Sequence, residues 1–126
     1  MRTIIAGSRD SDDPEQVTIA VRDCGWWPTV VISGHAKGVD RFGEAWAKKR
    51  SIPIELFMPN WHPNGGYDNG AGIKRNREMA QCADALIAIW DGESRGTKNM
   101  IETATKMGLR VYVHIYKPEN LDDSNH

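Results

Sequence analysis

Apolar residues in this chain gather into five short runs, each closed by a turn-forming residue or a polar stretch. They are Thr3 to Ala6 (TIIA), Thr29 to Ile32 (TVVI), Ile54 to Met58 (IELFM), Ala85 to Trp90 (ALIAIW) and Leu109 to Ile115 (LRVYVHI). Four are rich in β-branched or aromatic residues and too short for helices, so they predict strands. The composition of ALIAIW is ambiguous, and its flanks place it as a strand.

Between the runs the apolar positions follow a helical period. Pro14 opens a helix that ends at Gly25. Val39 to Arg50 sets Val39, Phe42, Trp46 and Ala47 on one face. Ile73 to Cys82 is a less regular helix. Asn99 to Met107 carries Met100, Ile101, Ala104 and Met107 on one stripe and stops at Gly108. Strand and helix alternate throughout, which predicts parallel strands joined by crossovers with helices on both faces. The expected fold is α/β: a Rossmann-like three-layer sandwich on a mainly parallel sheet of about five strands. Residues 1–118 are read as one domain and 119–126 as a polar tail. The segment from Asn60 to Gly72 (NWHPNGGYDNGAG) fits no regular element, and long ordered loops of this kind often carry function.

With 126 residues, 40% of them hydrophobic and 26% charged, the chain has an ordinary globular composition. A net charge of −1 leaves no excess positive field for duplex nucleic acid. An anion site must therefore be local. Cys24 and Cys82 show no metal or redox spacing and read as buried, reduced thiols. The N-terminus has no signal-peptide core and no run approaches a membrane span, so a cytoplasmic location is expected. His35, His62 and His114 lack metal-ligand spacing. No metal and no cofactor are expected.

Open α/β sheets bind ligands beyond the carboxyl ends of their strands. After the first run stand Gly7, Ser8 and Arg9, able to offer close backbone approach, a hydroxyl and a cation to a phosphate. After the second stands SGHAKGVD, with Ser33, Gly34, Ala36, Lys37, Gly38 and Asp40 as candidates. Its glycines let N–H groups and a helix N-terminus face an anion. Lys37 suits a phosphate or plain solvation. Asp40 suits either a helix cap or a ribose or acid–base contact. Arg75 and Asn76 fall where the third helix is expected to begin, an unfavourable place for cations unless an anion is near. After the fourth run comes DGESRGT, where Gly92, Ser94, Arg95, Gly96 and Thr97 form the best phosphate cradle in the chain. Trp61 and Tyr67 could stack on a base or simply pack.

Taken in order, GSRD, SGHAKGVDRFGEAWA, the AG..RNREM stretch and ADALIAIWDGESRGTKNMIETA resemble the YspA/YpsA-related branch of the SLOG superfamily, from Arg2 to about Val113. The resemblance implies a Rossmann-like domain, common in bacteria and phages, that binds a nucleotide or an ADP-ribose-like ligand as a sensor or sequestering protein. A homo-oligomer is implied by the resemblance alone. The superfamily includes the Lonely Guy phosphoribohydrolases and the single-stranded-DNA-binding DNA-processing protein A family. Two alternatives follow: hydrolysis of the N-glycosidic bond of nucleoside monophosphates, and a single-stranded nucleic-acid module. Arg75 with Met79, and Gly96 with Thr97, match the phosphoribohydrolase pattern. The position of that pattern's glutamate is Met100, and Glu102 comes two residues too late. Asp40, Glu44 and Glu102 are the candidate substitutes, and a catalytic residue is not assigned.

Overall fold

The computed structural model describes residues 1–66 and 68–118. Tyr67 and the expected polar tail, 119–126, lie outside the described residues. Five strands alternate with four helices: β1 (Arg2–Gly7), α1 (Glu15–Asp23), β2 (Val30–Ser33), α2 (Val39–Lys49), β3 (Ile54–Leu56), α3 (Ala71–Cys82), β4 (Ala85–Trp90), α4 (Arg95–Lys106) and β5 (Arg110–Ile115). All pairings are parallel, in the order β3-β2-β1-β4-β5. The expected Rossmann-like sandwich is the fold observed.

The strands alternate their side chains between two cores, as period-two geometry requires. Ile5, Val31, Ile87 and Ile89 pack with Val17, Ala20, Val39 and Trp46 of α1 and α2. Ile4, Ile32, Leu86 and Ala88 pack with Met79 and Ala80 of α3 and with Met100 and Ala104 of α4. Each fully buried Ile or Leu contributes about 2 kcal/mol. The ambiguous run ALIAIW is the strand between β1 and β5, and its first five residues are buried. A strand covered on both faces needs no polar alternation, which explains its helix-like composition.

Element boundaries differ from expectation at two helix starts. The third helix begins at Ala71 rather than Ile73, and the fourth at Arg95 rather than Asn99. Gly72 and Gly96 lie in these first turns, and glycine is a poor helix former, so sequence periodicity begins too late. The third strand ends at Leu56 rather than Met58. Cys24 is buried as expected, but Cys82 is exposed because it closes α3 on the solvent side.

Candidate functional site

In this strand order the chain reverses direction across the sheet between β1 and β4, and a crevice opens there beyond their carboxyl ends. A cleft of about 540 Å³ occupies this position, within the range of small-molecule sites. Because every strand runs the same way, the segments following β1, β2 and β4 all reach this edge.

Hydrogen bonds lock the segments together. Asp91 N–H donates to Ser8 Oγ at 3.2 Å, and Ser8 N–H to the Ile89 carbonyl at 3.2 Å. Ser8 is 3% exposed, so its hydroxyl is a clamp between the β1 and β4 turns. Gly38, at φ 85°, brings α2 against the first turn; a Cβ there would lie 2.6 Å from the Ser8 carbonyl oxygen. From the opposite side, Asn76 Nδ2 donates to Asn99 Oδ1 at 2.9 Å and to the Gly96 carbonyl at 3.4 Å. Arg75 Nη1 donates to the Gly34 carbonyl at 2.8 Å. A Cβ on Gly34 would fall 2.6 Å from Arg75 Cζ, so the absence of a side chain there admits the guanidinium.

The turn after β4 is built differently from expectation. Asp91 Oδ1 accepts the N–H groups of Glu93, at 2.8 Å, and Ser94, at 2.7 Å. Those two amides are therefore taken by the protein's own carboxylate. Burial would raise the Asp91 pKa, but these bonds and the one with Ser8 outweigh it and hold the carboxyl below its usual range. The donors that remain belong to the first turn of α4. Ser94 is its N-cap residue, no side chain caps it, and the intrahelical bonds begin with Lys98 N–H to the Ser94 carbonyl. Among the described residues, the amides of Arg95, Gly96 and Thr97 are thus the unsatisfied start of a helix, beside the hydroxyls of Ser94 and Thr97, which lie 3.3 Å apart. Positive φ falls on Gly92, at 85°, and not on Gly96. Gly96 lines the cleft, and a Cβ there would meet nothing within 4 Å.

Of the sequence candidates, Gly7, Ser8, Arg9, Ala36, Asp40, Arg75, Asn76, Ser94, Gly96 and Thr97 line the cleft. Gly34 lines an adjoining hollow. Ser33 is fully buried and bonded to Glu44 at 2.7 Å. Lys37, Gly92 and Arg95 are exposed and line neither space. Arg75 stands in the second turn of α3, since that helix starts at Ala71. The helix-terminus argument for it therefore fails, and its place on the cleft wall carries the case instead. Burial lowers its pKa, Asp40 opposes that shift, and Arg9 adds to it.

Trp61 lines the cleft from the long loop. The loop is pinned by Asp68, whose N–H donates to the Trp61 carbonyl at 2.7 Å and whose carboxylate accepts Lys74 Nζ at 2.6 Å. Met100 and Met79 line the cleft too and are 2% and 1% exposed. Their apolar atoms close its base. Glu102 is exposed and lines neither space.

Asp40 is 4% exposed and accepts the Ala36 N–H at 3.1 Å, with a further bond from the Gly7 amide. Burial raises its pKa to about 6 despite those bonds and the nearby Arg75; Glu44 adds to the rise. A carboxyl raised in the folded state stabilises folding below its unfolded pKa, and that stability is lost as pH rises through the folded value. Asp40→Asn should therefore gain on the wild type by on the order of 2 kcal/mol between about pH 4 and pH 7. Urea denaturation at a series of pH values checks this. Parallel stability curves would show that Asp40 does not titrate there.

The family model described as YAcAr, the YspA, cpYpsA-related SLOG family, matches residues 1–63, half of the chain. The chain belongs to this family. The match spans β1 through β3, and so the Gly7–Arg9 and Ser33–Asp40 sides of the cleft; the α3 and α4 side lies beyond it. No curated protein matches the chain. Among solved structures, the fold of this SLOG family member is similar to that of DNA processing protein A (DprA) from Streptococcus pneumoniae, with a TM-score of 0.73 and 17% sequence identity. The alignment covers 96% of this chain and 52% of that one, so the chain spans about half the length of that relative. At this identity the likeness is one of fold. Among the described residues, no helix is long and apolar enough to cross a membrane, and no group of His, Cys, Asp and Glu could hold a metal ion.

Proposed function

We propose that this SLOG domain, residues 1–118, binds a nucleotide or a nucleotide-derived, ADP-ribose-like ligand as a sensor or sequestering protein. The observation that carries the reading is the uncapped start of α4, with the Ser94 and Thr97 hydroxyls beside it and Arg75 on the facing wall of one cleft. An anion there gains amide hydrogen bonds, the favourable end of the helix dipole and a cation. Trp61 offers a base a stacking surface. The same reading makes it a bacterial or phage cytoplasmic protein that works as a homo-oligomer. Calorimetric titration with nucleoside monophosphates, ADP-ribose and cyclic dinucleotides tests it. Tight binding of any of them supports the reading; no binding by all of them removes it.

A second reading, hydrolysis of the N-glycosidic bond, draws on Asp40, a buried carboxyl on the cleft wall that could hold a proton near neutral pH. Against it, Met100 stands where the phosphoribohydrolase pattern has its glutamate, and a thioether transfers no proton. Little or no base release from purine and pyrimidine monophosphates is expected. Rapid release that disappears in Asp40→Asn would establish the enzyme and identify its acid. The name of the DNA-processing relative suggests a nucleic-acid module as well, and the net charge of −1 weighs against that.

A further inference from the structure

The loop after β2 holds a cluster that the phosphate site does not use. His35 has left-handed backbone, φ 56°, a conformation that costs a non-glycine residue energy. Its Nδ1 lies 2.9 Å from both carboxylate oxygens of Glu44. Ser33 Oγ donates to the same carboxylate at 2.7 Å and accepts the His35 N–H at 3.0 Å. The Glu44 side chain is only 16% exposed, and that of His35 34%. A carboxylate accepts and does not donate, so Nδ1 carries the proton. In the neutral ring this leaves a lone pair on Nε2, the logic by which a carboxylate orients a histidine in many sites. Among the described residues nothing bonds to Nε2.

His35 lines a hollow of about 260 Å³ that adjoins the main cleft. Arg9, Ala36, Trp61 and Arg75 line both spaces. The two arginines therefore stand at the junction, and Met58 and Pro59 add apolar surface to the hollow.

We infer that this hollow is a second subsite, in which His35 Nε2, oriented by Glu44, accepts a hydrogen bond from a hydroxyl of a sugar joined through phosphate to the nucleotide in the main cleft. The inference rests on the main cleft binding a nucleotide. The chemistry of the walls selects the occupant. Cations at the junction suit a bridging phosphate. With Nδ1 held by the Glu44 carboxylate, Nε2 is the ring atom left to meet a hydroxyl. The apolar side chains suit the C–H face of a sugar ring. His35 is then a specificity-determining residue and Glu44 a positioning residue.

Calorimetry with two probes tests this. AMP reaches the main cleft alone, and ADP-ribose extends beyond it by a second phosphate and ribose. The wild type should bind ADP-ribose more tightly than AMP. His35→Gly should bind ADP-ribose about fivefold to tenfold more weakly and AMP unchanged, the loss of one hydrogen bond. Glycine suits the left-handed backbone, so the melting temperature of this variant should hold or rise, which separates the loss from unfolding. Glu44→Ala should show the same selective loss, and the double variant no more than either single one. If ADP-ribose binds no more tightly than AMP, or if His35→Gly loses nothing or loses both probes equally, the subsite is overturned while the main cleft stands. If the wild type binds neither probe but binds another nucleoside monophosphate or a cyclic dinucleotide, the subsite alone is overturned; if it binds none of these, both readings fall.

Discussion

Gly96→Val should abolish nucleotide binding and leave the fold intact. In the first turn of α4, Gly96 has a helical backbone, and a Cβ there would stand in open space with no atom of the neighbouring elements within 4 Å. Valine is also no worse a helix former than glycine, so stability should hold. The isopropyl group would project into the cleft over the amides of Arg95, Gly96 and Thr97. A phosphate kept off these amides loses several hydrogen bonds to a charged group, each about 1.5–3 kcal/mol. Affinity should therefore fall by more than about 100-fold. Calorimetry with AMP and a thermal melt of the same sample check the two halves of the expectation. A variant that binds AMP as well as the wild type places the phosphate elsewhere. The glycine reads differently here from Gly38, where positive φ and the Ser8 and Arg9 carbonyls exclude a side chain for reasons of fold.

Arg75→Ala should cost about tenfold to 100-fold in the same titration, the range for a hydrogen bond to a charged group. Two of the five guanidinium N–H groups are directed at the Gly34 carbonyl, at 2.8 Å, and at Asn76 Oδ1, at 3.1 Å. These bonds hold the plane of the side chain, and among the described residues no acceptor takes the rest of the fork, which the proposed anion would meet. The burial that lowers the Arg75 pKa means that its charge is poorly solvated, and an anion in the cleft would relieve this. Arg75→Lys should not restore binding, because an ammonium cannot keep both anchoring bonds and also reach a phosphate. Unchanged affinity in Arg75→Ala would show that the anion does not approach the α3 wall.

The order of elements was legible because parallel strands, buried on both faces, are written as near-continuous apolar runs. Gly7, Ser33 and Trp90 end their strands within a residue of the expected places. The helix starts were not legible, since Gly72 and Gly96 mask the helical period in the first turn. The expected single turn from Gly92 to Thr97 is an Asp91-bonded turn followed, from Arg95, by the first turn of a helix. Asp91 itself was not among the candidates, although an aspartate opening a Gly-rich turn commonly bonds the amides that follow. Arg75 was chosen for a helix terminus it does not occupy. The partnership of His35 with Glu44 left no trace in the sequence, because a nine-residue separation across a strand-to-helix turn has no periodic signature. The role of Asp40 stayed open for a physical reason too: the same carboxyl both ties down the Ala36 amide and lines the cleft.

In the proposed site the phosphate sits on the first turn of α4. A two-dimensional amide NMR titration of the wild type with AMP tests it most directly. The N–H resonances of Gly96 and Thr97 should move most, with Arg95 beside them, as amides that gain a charged acceptor must. Shifts that leave these amides still while others in the protein move would contradict it.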